Sequence, residues 1–423
     1  MARAAPESTS TLAIVPAPVD AAPPVADAMT PVADAMMPVA DAMAPVADAM
    51  VPVADAMVPV ADAMMPIKVL LPSALPSGYK RNDQIVLSFY PPDKSKVPAT
   101  GAPVVVMLPY LGATNAPEFH RFARFLAARG IAAAVMTLPF HGERAIGIPP
   151  VNFFVSNDVD VVVKTWNQAA SDVSTVVTWL EAQPDIDRTR IAGAGTSLGA
   201  ILLHLSMGRD PRISAGVAFL GGGDLPLIFR NSLLTKLRGR GRPRRLSPEE
   251  EAKLRTVDPL SYAQFNQPRR VLMVQGARDI VVPPRAAQEL WQALGRPPIR
   301  WIPVNHLALQ FAEPQVRRAS YEFLQSVWRG ETNLRAPRIY APTLKAGFIS
   351  GLDSRLTPAL TLEPFTLGHG RHHLPLIEFN VGLSGRGPFA GIATPITQFA
   401  DIGLARRLNG SKLRPYLSYH LAF

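Results

Sequence analysis

The residues Gly195-Thr196-Ser197-Leu198-Gly199 follow the apolar run Arg190-Ile191-Ala192-Gly193-Ala194 and precede a second one over 198–208. A serine between two glycines at such a strand–turn–helix junction sits on a turn so sharp that its neighbours must lack bulk. The turn lifts the hydroxyl out at the sheet's carboxyl edge, at the positive end of the following helix. A serine hydroxyl is a weak nucleophile and needs a base, itself oriented by an acid. Two downstream residues are placed for that work. The run Val271-Leu272-Met273-Val274-Gln275 leads into Gly276-Ala277-Arg278-Asp279, and Trp301-Ile302-Pro303-Val304 leads into Asn305-His306-Leu307. Asp279 and His306 therefore each lie just past a strand end, and His306 is the only histidine between Asp279 and residue 368. The plainer uses are a turn or helix cap for Asp279 and a surface position for His306.

These residues need a scaffold, and the pattern from Ile67 onward supplies one. Runs rich in Val, Ile and Leu predict strands at 84–89, 104–108, 132–137, 190–194, 215–220, 271–275 and 300–304. Between them, 117–129, 161–182, 198–208, 284–294 and 314–328 read as helices. Such β-α-β alternation is the signature of a mostly parallel sheet covered on both faces. Residues 67–332 are thus expected to form one domain. The polar, basic stretch 221–265 interrupts the alternation and is expected over the carboxyl edge, as a lid or as a surface loop.

The order Ser197, Asp279, His306, each after a strand, resembles the α/β-hydrolase superfamily, especially its dienelactone-hydrolase-like and S9-peptidase-like esterase branches. The resemblance covers about residues 66–332. It implies Ser197 as nucleophile, His306 as general base and then acid, and Asp279 as the group orienting His306. It also implies an oxyanion hole of backbone N–H groups: one from Leu198, the other from Leu108-Pro109-Tyr110-Leu111-Gly112 after an early strand. Proline has no N–H, so Tyr110 or Leu111 is the expected second donor. Many members carry His-Gly near this place, and this chain departs from that. A second stretch, Leu138-Pro139-Phe140-His141-Gly142, resembles segments that shape the site beside the triad. His141 is a candidate for substrate contact or for pinning its loop. His204, on the helix after the nucleophile, reads as a core histidine.

The ends of the chain are compositionally distinct. Six copies of Pro-Val-Ala-Asp-Ala-Met-Xaa begin at Pro24 and recur every seven residues up to Pro59. Proline at each copy costs a helix about 3 kcal/mol, so a coiled coil is excluded and 1–66 is expected to be a disordered or extended tail. Residues 336–423 are expected to form a small β-rich extension packed on the hydrolase. Their last residues, Leu417-Ser418-Tyr419-His420-Leu421-Ala422-Phe423, alternate like the closing strand of an outer-membrane barrel, but five or six strands fall short of the eight that such barrels need.

Composition narrows the function classes further. Of 423 residues none is cysteine, which excludes disulfides and thiolate chemistry. The net charge is +10, with a basic run over Lys236–Arg245 that lacks interleaved aromatics, so a solvated loop is expected and no nucleic-acid partner. No apolar run is long enough for a membrane-spanning helix and no leader-like segment stands out, so a cytoplasmic protein is expected. Outer-membrane association through the C-terminal segment is the alternative. The cluster His369-Gly370-Arg371-His372-His373 lacks convincing metal spacing, and no metal or cofactor is expected.

The fold expected is therefore α/β, an α/β-hydrolase fold with a mostly parallel central sheet, a disordered repeat tail and a small β-rich extension. The function expected is a serine hydrolase cleaving a small-molecule carboxylic ester or related acyl substrate through an acyl-enzyme. The alternatives are an S9-type peptidase, or a membrane-associated or interaction protein with a degenerate hydrolase domain.

Overall fold

A computed structural model describes residues 65–422 except 240, 241, 243, 268, 308–312, 353–355 and 369–372. The heptad repeat before Met65 and four residues of the 369–373 histidine cluster lie outside the described residues.

A hairpin opens the first layer: β1 (Ile67–Pro72) pairs antiparallel with β2 (Gln84–Tyr90). Then come β3 (Ala102–Leu108), α1 (Pro117–Ala127), β4 (Ala132–Thr137), the short α2 (Val151–Phe154), α3 (Val159–Glu181), β5 (Ile186–Thr196), α4 (Leu198–Arg209) and β6 (Ala215–Phe219). Four short helices follow: α5 (Leu225–Asn231), α6 (Leu233–Arg238), α7 (Pro248–Arg255) and α8 (Pro259–Tyr262). The layer ends with β7 (Arg270–Gly276), α9 (Pro284–Ala293), β8 (Ile299–Ile302) and α10 (Glu313–Trp328). The strands lie in the order β1-β2-β4-β3-β5-β6-β7-β8, parallel from β4 to β8. Alternate side chains of β3 enter opposite cores. Val104, Val106 and Leu108 join the cluster under α3 and α4, while Val105 and Met107 join the one under α1 and α10. This two-sided burial is why the strands read as continuous apolar runs.

The chain leaves β3 toward β4 on one side and returns through α3 to β5 on the other, so winding direction reverses between β3 and β5. In an open α/β sheet, such a reversal leaves a crevice at the carboxyl ends of the two strands. Ser197 follows β5 and the Pro109–Gly112 turn follows β3, so both face that crevice.

The C-terminal segment forms a second architecture. Strands β9 (Thr343–Ser350), β10 (Thr357–Leu367), β11 (Ile377–Ser384), β12 (Gly387–Thr397), β13 (Ala400–Arg407) and β14 (Leu413–Ala422) close into a six-stranded antiparallel barrel. The number of strands matches expectation, and closure distinguishes them from a simple appendage. Every strand finds a neighbour because β14 pairs back onto β9.

Candidate active site

Local sterics build the serine turn. Ser197 has φ +55° and ψ −118°, a strained conformation for a residue with a side chain. A Cβ at Gly195 would lie 2.3 Å from the Gly199 carbonyl oxygen, and one at Gly199 would lie 1.9 Å from that of Leu108. Both glycines are required because β5, α4 and the end of β3 meet there. Leu198 is the first residue of α4, so its N–H lies in the turn that lacks intrahelical acceptors.

The structure brings together the three residues proposed from sequence. Ser197 Oγ lies 2.8 Å from His306 Nε2, and His306 Nδ1 lies 2.7 Å from Asp279 Oδ2. The other Asp279 oxygen accepts the N–H groups of Val281 and Val282, each at 2.8 Å. An ionised carboxylate only accepts, so Nδ1 carries the imidazole proton and Nε2 is left to accept from the Ser197 hydroxyl. Ser197 and Asp279 are buried and His306 is slightly exposed. A cavity of about 580 Å³ opens beside the serine. Its walls include Leu111, Phe119, Phe122, Phe219, Leu234 and Val316, with Glu118 and the Glu313–Arg317 pair as polar exceptions. Such a volume accommodates a small organic ligand.

Tyr110 and Leu111, the two candidates for the second oxyanion donor, both line this cavity. His141, a candidate for substrate contact or for pinning its loop, is not among the residues that line it. Its ring is buried, with Nδ1 2.8 Å from the Pro139 carbonyl oxygen, and Nε2 accepts the Gly112 N–H at 2.9 Å. His141 thus ties the loop after β4 to the Tyr110–Gly112 turn. Burial lowers its pKa to about 4, which keeps the ring neutral and able to accept. His204 is fully buried on α4 as a core residue, and burial likewise lowers its pKa to about 4.

The insertion over 221–265, expected as a lid or a surface loop, is largely helical among the described residues. It folds into α5–α8, with α7 packed on α3 and α8 on α4, and contributes Leu234 to the cavity wall. Two features escaped sequence reasoning. Phe119 and Phe122, one helical turn apart on the buried face of α1, line the cavity. Arg278, beside Asp279, turns the opposite way and enters the barrel, where it contacts Glu378 and lies 2.9 Å from His420 Nε2. The i, i+3 aromatic pair was a readable signal for the first; nothing local distinguished Arg278 from a surface arginine. His373 stacks on Trp301 with ring centroids 3.9 Å apart.

Comparison with known proteins adds the following. The model of the prolyl oligopeptidase family, peptidase S9, matches residues 161–300. Two uncharacterised proteins of Mycobacterium tuberculosis, from strains CDC 1551 and H37Rv, are each 28% identical over 211 residues, 49% of this chain and 49% of theirs. The chain thus spans about half the length of the curated relatives it matches. Among solved structures, the acylaminoacyl peptidase of Pyrococcus horikoshii is 15% identical, with a TM-score of 0.48 over 63% of this chain and 41% of that one. An acetyl xylan esterase from Paenibacillus sp. R4 is 17% identical, with a TM-score of 0.47 over 62% of this chain and 89% of that one.

Proposed function

We propose that this α/β hydrolase, of the serine-hydrolase type, cleaves a carboxylic ester with an apolar acyl or alkyl part through an acyl-enzyme on Ser197. The observation that carries the proposal is the continuous Ser197–His306–Asp279 relay, at 2.8 and 2.7 Å, opening on a largely apolar cavity. His306 Nε2 takes the Ser197 proton as Oγ attacks the carbonyl carbon, and Asp279 stabilises the imidazolium formed. The negative oxygen of the tetrahedral intermediate is received by the N–H of Leu198 and that of Tyr110 or Leu111. His306 then returns the proton to the leaving alcohol. Water, with its proton taken by the same nitrogen, releases the acid and restores the serine.

The family match to the S9 peptidases supports a second reading, cleavage of a short peptide amide by the same groups. The two differ in leaving group. Incubating the full chain and its Ser197→Ala variant with a fluorophosphonate, then with nitrophenyl esters of increasing acyl length and with aminoacyl nitroanilides, separates them. Labelling and ester turnover that vanish in the variant are expected. Labelling that persists without Ser197 overturns the nucleophile assignment, and turnover of anilides over esters selects the peptidase.

A further inference from the structure

The barrel has its polarity reversed relative to a barrel that faces water. Its interior, at the end nearest the hydrolase, holds Lys345 among Glu363, Glu378 and Asp401, with Nζ 2.9 Å from Glu363 and 2.8 Å from Asp401. Arg278 enters the same group from the β7–α9 loop and contacts Glu378. All five side chains are almost wholly shielded. Farther along, Ile349, Leu352, Phe389 and Tyr416 pack together and fill the interior among the described residues.

Large apolar side chains face outward on every strand. Leu344, Leu362, Leu383, Ile392, Leu404 and Leu421, one from each of β9 to β14, are 41–59% exposed. Cross-strand registers place their neighbours on the same face: Leu362 opposite Leu344 and Val381, Ile392 opposite Leu404 and Phe379. Along the outward face of the described strands the one charged side chain is Arg406, at the rim farthest from the hydrolase. Charge gathers at that rim. Arg386, Arg406, Arg407, Lys412 and Arg414 occupy the far turns and strand ends, with no acidic residue among the described residues there.

We infer that the barrel wall is embedded in an anionic phospholipid bilayer, with the basic turns in a layer of lipid phosphates. An apolar band on all six strands, each alternating with a polar or packed interior, has the polarity of a lipid-facing barrel, here with two strands fewer than the smallest single-chain membrane barrels. A partner protein or a second copy would cover one side of the cylinder; the wall is apolar all round, and a fluid hydrocarbon covers all of it. The strands have 8 to 11 residues. At the usual rise and tilt this gives a band about 19–26 Å tall, near the height of the apolar belt of membrane barrels. Closure matters as much as polarity, since no strand edge is left to present unpaired N–H and C=O groups to lipid. The cationic rim complements the surface charge of anionic lipids, each basic residue contributing about fivefold in partitioning.

The chain has no cysteine, so single thiols can be introduced without background. Leu362→Cys and Leu404→Cys on the wall, with Glu249→Cys on exposed α7 as control, would be labelled in the full chain with an environment-sensitive nitrobenzoxadiazole. Each is then mixed with vesicles of phosphatidylcholine alone or with 30% phosphatidylglycerol. The expected result is a blue shift and quenching by acyl-chain spin labels at 362 and 404 and neither at 249, with binding that resists a carbonate wash. Lys412→Glu with Arg414→Glu should weaken association with the anionic vesicles at least tenfold. Wall labels that stay water-accessible with vesicles overturn the inference. So do labels shielded without lipid in an oligomer seen by light scattering, because the wall would then be a protein interface.

Discussion

His141 offers a test of how the loop beside the serine is held. Its Nε2 accepts the Gly112 N–H only while the ring is neutral, and burial lowers its pKa from 6.5 to about 4, with the Arg144 guanidinium acting in the same direction. The unfolded chain therefore takes up a proton near pH 6.5 that the native state refuses until about pH 4. Below pH 6.5 the unfolded state binds more protons, so stability falls as pH falls and is fully present only above the unfolded value. At pH 5 the loss from this one group is about 2 kcal/mol, approaching about 3 kcal/mol below pH 4. His204, buried with no hydrogen-bond partner for either ring nitrogen among the described residues, adds a comparable loss over the same window. Replacing His141 by Gln keeps an acceptor and removes the titration. Urea unfolding of both proteins at pH 7.5, 6 and 5, followed by circular dichroism, should show the wild-type midpoint falling faster than that of the variant. With an m-value of about 3 kcal/mol/M, the extra fall is roughly 0.7 M by pH 5. Parallel profiles for the two proteins would refute both the buried neutral state and the bond to Gly112. Through this tie, ester turnover should fall only as pH approaches 4, where the folded protein's ring takes up its proton and the loop carrying the Tyr110 and Leu111 N–H groups is released.

Three further outcomes follow from the geometry of the relay and the barrel. Asp279→Asn should lower kcat by about 10⁴ with little change in KM, because an amide at that place stabilises the wrong imidazole tautomer; steady-state ester kinetics check it. Gly199→Ala should abolish fluorophosphonate labelling, since the new methyl would lie 1.9 Å from the Leu108 oxygen and force β3 and α4 apart; native-like labelling would show that the turn has slack. Arg278→Met should cost about 3–5 kcal/mol, because it removes one of the two cations set among the buried carboxyl groups of Glu363, Glu378 and Asp401; denaturation of the full chain in nonionic micelles measures it.

How much was legible follows from the range of the interactions involved. The serine turn was readable because its requirements are local: two glycines, a strand before and a helix after. Asp279 and His306 were readable from chain order together with strand ends, though β8 stops at Ile302, two residues before the expected limit of 304. The hairpin strand Ile67–Pro72 was missed because it lies at the edge, half exposed, without the apolar continuity of the central strands. His141 was a candidate for substrate contact or for pinning its loop, and the group that shows which, the Gly112 N–H, lies 29 residues away in sequence. The barrel was the least legible. Its strands are interrupted by Gly and Pro, and sequence alternation does not reveal which of its two faces is turned inward.

Arg278 and Asp279 are consecutive, yet one side chain enters the barrel and the other holds His306. This couples the two parts unequally. Removing the barrel would release Arg278 into water, where a guanidinium carries no penalty, so the triad loop loses a tether but gains no buried charge. Removing the hydrolase would take away one of the two cations that face Glu363, Glu378 and Asp401 inside a closed barrel, an imbalance that low-dielectric surroundings make costly. The α/β domain is therefore expected to fold and keep its relay without the barrel, whereas the barrel is expected to close only when the loop that carries Asp279 is already in place. Folding order then has a functional consequence. The wall that faces lipid is completed by the same turn that fixes the acid of the triad, so a barrel settled in a membrane carries a loop with Asp279 already positioned.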